Sequence, residues 1–170
     1  RSLRGHRGLF LVYLMRGDQK QLATFAGKLM DLMEESQDHE GQMEVAHQYL
    51  KVFPQDLPIR ERLVSICLAN DLVQEGVGEL LTLADSAEST QQFDKALGYY
   101  RQVQKQKVDF VDVLPMIVSL LTAQGRTTEA KAEIQREVIR LKEEGKGLKA
   151  AEAALSKLEI DPKDDEARLQ

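Results

Sequence analysis

The feature of this chain that most constrains its fold is an internal repeat with a period of about 54 residues. Leu9, Leu63 and Ile117 are evenly spaced at that interval, and each lies in a short apolar run. The segment that follows each run repeats at the same interval, at Leu22, Gly76 and Ala130. Such a repeat predicts stacked helical units, because one helical hairpin cannot bury its apolar face without a neighbour. The sequence therefore predicts a fold that acts by binding, without identifying the partner.

Composition sets the fold class. The 170 residues are 42% hydrophobic and 30% charged, as in an ordinary folded domain. Good helix formers dominate the periodic segments, and most prolines and glycines fall between them. These features predict an all-α fold. The net charge of −5 argues against nucleic acid as a ligand, because binding phosphates requires a concentrated basic surface.

Apolar spacing and turn residues divide the chain into nine predicted helices. They form three units of equal length, at about 4–57, 58–111 and 112–165, within a single domain spanning residues 1–170. The predicted helices are 4–16, 18–38 and 42–53; 58–70, 72–88 and 91–105; and 112–124, 127–144 and 148–159. The first residue is not Met, and the last residues read as the start of another helix. We therefore expect this chain to be a fragment of a longer protein.

The N-terminal segment has some features of a signal peptide, since arginines precede the apolar run 9–15. That run is much shorter than the ~20 residues of a membrane-spanning helix. No small-residue cleavage site follows it. We therefore interpret it as the first helix of the first unit. We expect a cytoplasmic protein without direct membrane insertion, although a periplasmic or membrane-tethered parent protein stays open.

A short phrase recurs near the start of several predicted helices and ends in a small residue. The four copies are Gly41-Gln42-Met43-Glu44-Val45-Ala46, Gln91-Gln92-Phe93-Asp94-Lys95-Ala96, Gly125-Arg126-Thr127-Thr128-Glu129-Ala130 and Gly145-Lys146-Gly147-Leu148-Lys149-Ala150. In the second copy, Ala96-Leu97-Gly98-Tyr99-Tyr100 adds large residues one turn on. This resembles the second helix of a tetratricopeptide repeat, and Ala96 and Ala130 lie one period of that family apart. Pro58 and Pro162 stand where that family has its closing proline, and Val108 replaces the proline after Ala96.

The resemblance implies a right-handed α-α superhelix, a tetratricopeptide-like solenoid of about nine antiparallel helices. In that family the first helices of the hairpins line a concave face that binds a peptide or a partner protein. The resemblance places four exposed residues on these first helices, and they are our candidate groove residues: Glu61, Ser65, Asp112 and Ser119. The Lys, Asn and Arg set with which some members bind C-terminal carboxylates has no match here, so we do not expect a chaperone adaptor.

No catalytic, cofactor or metal site is predicted. Glu44 and His47 are spaced to share one helix face, but the second such pair and the two further glutamates of a carboxylate-bridged metal bundle are missing. Cys67 is the only cysteine, and its apolar surroundings in the sequence indicate a buried residue. Phosphate-binding glycine loops and the Gly-x-Ser-x-Gly motif are absent. We therefore do not expect an enzyme.

Three functions follow from these observations. The leading hypothesis is a bacterial-type, non-catalytic scaffold or adaptor that binds a peptide or partner protein on its concave face. The second is a self-assembling homo-oligomer, because an open solenoid exposes apolar end faces unless they are capped. Phe10, Tyr13 and Leu14 are the apolar residues that we assign to the first end face. The third is a regulatory module of a larger multidomain protein.

Overall fold

A computed structural model describes the backbone of residues 3–160 and the side chains of residues 3–154. This part of the chain contains nine α-helices and no strand. They are α1 (Leu3–Arg16), α2 (Gln19–Glu35), α3 (His39–Val52), α4 (Leu57–Ala69), α5 (Val73–Ser89), α6 (Phe93–Lys105), α7 (Leu114–Ala123), α8 (Thr127–Glu143) and α9 (Gly147–Ile160). The predicted all-α fold of nine helices is confirmed, and the bounds lie close to those predicted. Pro162 and the end of the third predicted unit lie outside the described residues.

The chain divides into two compact units, the first ending at Gln92 and the second beginning at Phe93. Within each unit every helix packs against its neighbours in sequence. Within each unit, short connections make consecutive helices antiparallel, and the longest of these connections, 106–113, joins α6 to α7. The division into three units of equal length stays a prediction.

The core of the first unit joins buried side chains from α1 to α4. On α2, Leu22, Met30 and Met33 are fully buried. Cys67 is buried in the same cluster, as its apolar surroundings predicted. In the second unit, Ile134 and Val138 of α8 are buried in a cluster that includes residues of α7 and α9. Thus α8 packs against both of its neighbours.

Buried alanines mark the positions where the recurring phrase ends. Ala46, Ala96, Ala130 and Ala150 are all at most 1% exposed. A small side chain at these positions lets two helix backbones approach closely. The four alanines are therefore buried at the positions where the recurring phrase places a small residue.

One turn geometry recurs between the helices. In five turns a residue with positive φ follows the helix, and the next N–H donates to the carbonyl of a residue in the last turn of that helix. This is the Schellman arrangement, which satisfies carbonyls at the end of a helix. The positive-φ residues of these turns are Gln37, Asp71, Gln91, Gly125 and Gly145.

Gln37→Gly is expected to stabilise the first unit. Gln37 has φ of 57° and lies in one of these turns, where a Cβ costs about 1 kcal/mol and glycine avoids that cost. Glycine also gives the unfolded chain more conformational entropy, which offsets part of the gain. We therefore expect the free energy of unfolding, measured by urea denaturation, to rise by about 0.5 kcal/mol. Gln37→Ala is the control and should give no gain. A stabilised Gln37→Ala variant would contradict this explanation.

The residue of α1 at the repeat position is not buried like its equivalents in the other two copies. Leu63 and Ile117 are fully buried, whereas Leu9 is 45% exposed and its neighbour Phe10 is buried. The reason is that, among the described helices, α1 packs mainly against α2. The assignment of Phe10, Tyr13 and Leu14 to an exposed end face is also wrong. Phe10 is buried, and the rings of Tyr13 and Phe25 stack with their centroids 4.9 Å apart. Leu14 packs against the core as well, and the exposed apolar residues of α1 are Leu9, Leu11, Val12 and Met15.

Candidate functional site

The four candidate groove residues fall into two pairs, one in each unit. Glu61 and Ser65 lie one turn apart on the exposed side of α4, where Ser65 Oγ donates a hydrogen bond to the Glu61 carbonyl at 3.1 Å. Asp112 precedes α7, and Ser119 lies on its exposed side. Their role in partner binding stays a prediction.

The pair in the second unit lines a groove of about 770 Å³. This volume lies within the range of about 300–1,000 Å³ that is usual for binding sites. The first unit has a cleft of about 320 Å³, and Glu61 and Ser65 line neither cavity. We refer to the cavity in the second unit as the α7–α9 groove.

The α7–α9 groove is lined by all four helices of the second unit and by residues 106–113. Valine and alanine supply much of the lining, and Ser119 and Thr122 of α7 add hydroxyl groups. The lining residues are Val103, Gln104, Lys107, Val108, Asp109, Val111, Asp112, Val113, Leu114, Pro115, Val118, Ser119, Thr122, Ala123, Glu137, Arg140, Leu141, Lys149, Glu152 and Ala153. An apolar surface with a few polar groups can bury apolar groups of a ligand and orient the ligand by hydrogen bonds.

Residues 106–113, which we call the strap, border the groove. Lys146 Nζ donates to Asp109 Oδ1 at 3.0 Å, and Lys149 Nζ lies 3.7 Å from the same oxygen. At the other end of the strap Val113 is buried, and the Asp112 carboxylate accepts a hydrogen bond from Leu114 N–H at 3.0 Å. The strap is thus attached both to α7 and to the start of α9.

The contact between Asp109 and Lys146 is expected to persist from about pH 5 to about pH 9. The hydrogen bond and charge of Lys146 lower the pKa of Asp109 below 3.8, and Asp109 raises the pKa of Lys146 above 10.5. As the pH falls, the contact is lost only when Asp109 is protonated, below the ordinary pKa of aspartate. As the pH rises, it is lost only when Lys146 is deprotonated, above the ordinary pKa of lysine. Amide NMR shifts of strap residues should stay constant over this range. Asp109→Asn should shift them, and a titration near neutral pH would contradict the assignment.

Other charges that line the groove are paired with one another. The Arg140 guanidinium pairs with Glu137 and lies 2.6 Å from Glu144. These hydrogen bonds, chiefly that to Glu137, raise the pKa of Arg140. Gln104 Nε2 also donates to Glu137 at 3.5 Å. Arg140 and Lys149 therefore bring little free positive charge to the groove.

Three charged groups that line the groove have no ion-pair partner among the described residues. They are the carboxylates of Asp112 and Glu152 and the ammonium group of Lys107, and all three side chains are exposed. These three unpaired groups together carry a net charge of −1. Asp112 was named from the sequence, whereas Glu152 and the strap were missed. The one sequence signal for the strap was Val108, where a closing proline was expected.

The smaller cleft in the first unit has no unsatisfied cationic group. Arg60 is buried there, forms an ion pair with Glu79, and donates to the Pro54 carbonyl at 2.8 Å. The charge of Arg60 and both of its outer nitrogens are thus used within the fold. This cleft offers no evident anion site.

Metal ligands do not cluster in the part of the chain that the structure describes. Glu44 and His47 do not interact as a pair, since Glu44 binds Arg7 and His47 Nε2 lies 2.8 Å from Glu75. No helix among the described residues is long and apolar enough to cross a membrane.

Cys67 is expected to react slowly with thiol reagents in the folded protein. Burial raises the pKa of its thiol to about 11, so roughly one molecule in a thousand carries a thiolate at pH 8. We expect labelling at least ~100-fold slower than in the unfolded chain, whose cysteine has a pKa of about 8.5. A Ser65→Cys variant in a Cys67→Ala background is the exposed control and should label rapidly. Equal rates for the two folded proteins would contradict this assignment.

The sequence matches no protein-family model and no curated protein. Among solved structures, the chain is similar to a protein of Podosopora anserina described as a kinesin light chain with nearly identical TPR-like repeats. The two are 14% identical, the match covers 98% of this chain and 90% of that one, and the TM-score is 0.45. An identity this low gives no information about partners.

Proposed function

We propose that this chain is a non-catalytic protein-binding module, a scaffold or adaptor, whose α7–α9 groove takes an apolar segment of a partner protein. The observation that carries the proposal is the groove itself, which combines a volume of about 770 Å³ with a largely apolar lining. Burying apolar side chains of a partner there contributes roughly 25 cal/mol per Å² of surface removed from water. The hydroxyl groups of Ser119 and Thr122 offer hydrogen bonds that orient the segment.

The exposed side of α4 is a second candidate contact surface. Ser65 and Ala69 lie one repeat period before Ser119 and Ala123, so the two helices present the same residue types at equivalent positions. All four residues are exposed. Because the α4 pair lines neither cavity, we assign the main contact to the groove, with Glu61 and Ser65 as an auxiliary surface.

The proposal is tested by filling the groove with large side chains. Ser119→Trp combined with Ala123→Trp projects two indoles from one exposed face of α7 and leaves the buried core unchanged. Proteins captured from source-cell lysate by the native chain are identified by quantitative mass spectrometry, and one of them is purified for titration calorimetry. We expect the filled groove to weaken its binding by roughly 10-fold to 100-fold, equivalent to about 1.4–2.8 kcal/mol.

Two matched variants serve as controls. Ala132→Trp places one indole on an exposed position of α8 that does not line the groove, and binding should be unchanged. Ser65→Trp combined with Ala69→Trp repeats the test variant on α4, and we expect a smaller loss than for α7. Equal binding by the native chain and the filled-groove variant would refute a role for the groove.

A further inference from the structure

The exposed side of α1 is an apolar surface with arginines at its ends. Leu11, Val12 and Met15 are 48%, 39% and 83% exposed, and helical spacing places Arg4 on the same face as Leu11 and Met15. Arg16 follows at the end of the helix and is exposed. Neither Arg4 nor Arg16 has an ion-pair partner among the described residues. We call this surface the α1 face.

The charge of the α1 face differs from that of the rest of the chain. The segment 1–17 contains four arginines and no aspartate or glutamate, whereas the whole chain has a net charge of −5. Of the three arginines that the structure describes in this segment, Arg7 is paired with Glu44, and Arg4 and Arg16 are left for other partners. Apolar side chains flanked by unpaired cations are complementary to an apolar groove that carries unpaired carboxylates.

The α7–α9 groove has that complementary character. Its lining includes the apolar residues Val108, Val118 and Ala153 together with the unpaired carboxylates of Asp112 and Glu152. In the groove, Arg140 and Lys149 are engaged in ion pairs. The arginines of an incoming helix would therefore be repelled by one unpaired cation only, Lys107. A helix as long as α1, about 21 Å, presents arginines roughly 18 Å apart on the two sides of its apolar residues.

We propose that the α1 face of one copy of this chain docks in the α7–α9 groove of a second copy. This inference rests on the proposed function, because it names the occupant of the same groove. Leu11, Val12 and Met15 would enter the apolar part, and Arg4 and Arg16 would pair with Asp112 and Glu152. The two surfaces differ, so the contact is heterologous and can add further copies head to tail.

The test uses two variants that each keep one of the two surfaces. Leu11→Glu with Met15→Glu removes the α1 face, and Asp112→Lys with Glu152→Lys reverses the acidic groups of the groove. All four positions are exposed, so neither variant alters the buried core. Sedimentation velocity over a range of concentrations should show association of the native chain. Each variant alone should be at least roughly 10-fold weaker in self-association.

Mixing the two variants gives the decisive result. The first variant keeps an intact groove and the second keeps an intact α1 face, so the mixture should form a complex of one copy of each and grow no further. Ile139→Glu, on an exposed position of α8 outside the groove, is the matched control for adding an acid and should associate like the native chain. A further variant that combines Arg4→Glu, Arg16→Glu, Asp112→Lys and Glu152→Lys in one chain should regain self-association, because the charges of both surfaces are then reversed.

The outcomes separate this inference from the proposed function. A native chain that stays monomeric, or association that persists in both variants, overturns head-to-tail docking. If the filled-groove variant still loses its captured partner in that case, the groove retains its proposed role and only its occupant changes. If the filled groove binds every partner normally, the proposed function fails independently of the oligomeric state.

Discussion

Leu63→Ala is expected to lower the free energy of unfolding of the first unit by about 3–4 kcal/mol. Leu63 lies on α4, is fully buried, and packs in the same cluster as Cys67 and Met30. Truncation removes buried apolar surface and leaves a cavity that the surrounding helices close only in part. Urea denaturation followed by circular dichroism measures the change, and hydrogen exchange of α4 amides localises it.

The repeat itself supplies the control for this prediction. Leu9 occupies the equivalent position one period earlier but is 45% exposed, so Leu9→Ala should cost less than about 0.5 kcal/mol. The same chemical change at two equivalent positions thus has two different costs. Similar losses at Leu9 and Leu63 would mean that burial in the two copies does not differ as described.

Arg101→Met is expected to destabilise the second unit by about 2–3 kcal/mol, because it removes a charged partner from a buried carboxylate. Arg101 Nε and Nη2 donate to Glu133 Oε1 at 2.9 and 2.6 Å, and the Glu133 side chain is 2% exposed. Arg136 Nη2 lies 3.0 Å from the same oxygen and is kept in the variant. That remaining partner keeps the expected loss below the value typical of a fully unpaired buried charge.

The double variant shows whether the buried charge causes this loss. Arg101→Met combined with Glu133→Leu removes both members of the pair, so most of the lost stability should return. Arg136→Met alone should cost less than about 1 kcal/mol, since that side chain is 67% exposed. Stability is measured for all variants by urea denaturation. A double variant less stable than Arg101→Met would show that Glu133 stabilises the unit through other contacts.

Local signals made the helices predictable. The Asp18 carboxylate accepts a hydrogen bond from Gln21 N–H at 3.1 Å, which caps α2 close to its predicted start. Glycine marks the ends of α7 and α8, where Gly125 and Gly145 have positive φ. Each signal acts within one turn of helix, so it is visible in the sequence. The buried alanines were predictable for the same reason, because the phrase that contains them is contiguous.

The groove depends on contacts that leave no pattern in the sequence. Asp109 and Lys146 are far apart in the chain, and nothing near either residue indicates the other. The repeat also could not distinguish Ser65 from Ser119, since both occupy the same position in their copies. The strap borders the groove in which Ser119 lies, and the strap is where the chain departs from the repeat. Glu152 was missed because it becomes relevant only when α9 and the strap border one cavity.

Packing between sequence neighbours has a mechanical consequence within each unit. The described helices are joined by short turns, and each packs against the helices that precede and follow it in its unit. A pulling force applied to the two ends of a unit would therefore peel helices away largely one at a time, since most contacts of each described helix are with its neighbours in the sequence. Such a unit should extend at low force, lengthen in small steps, and recover quickly when the tension is released.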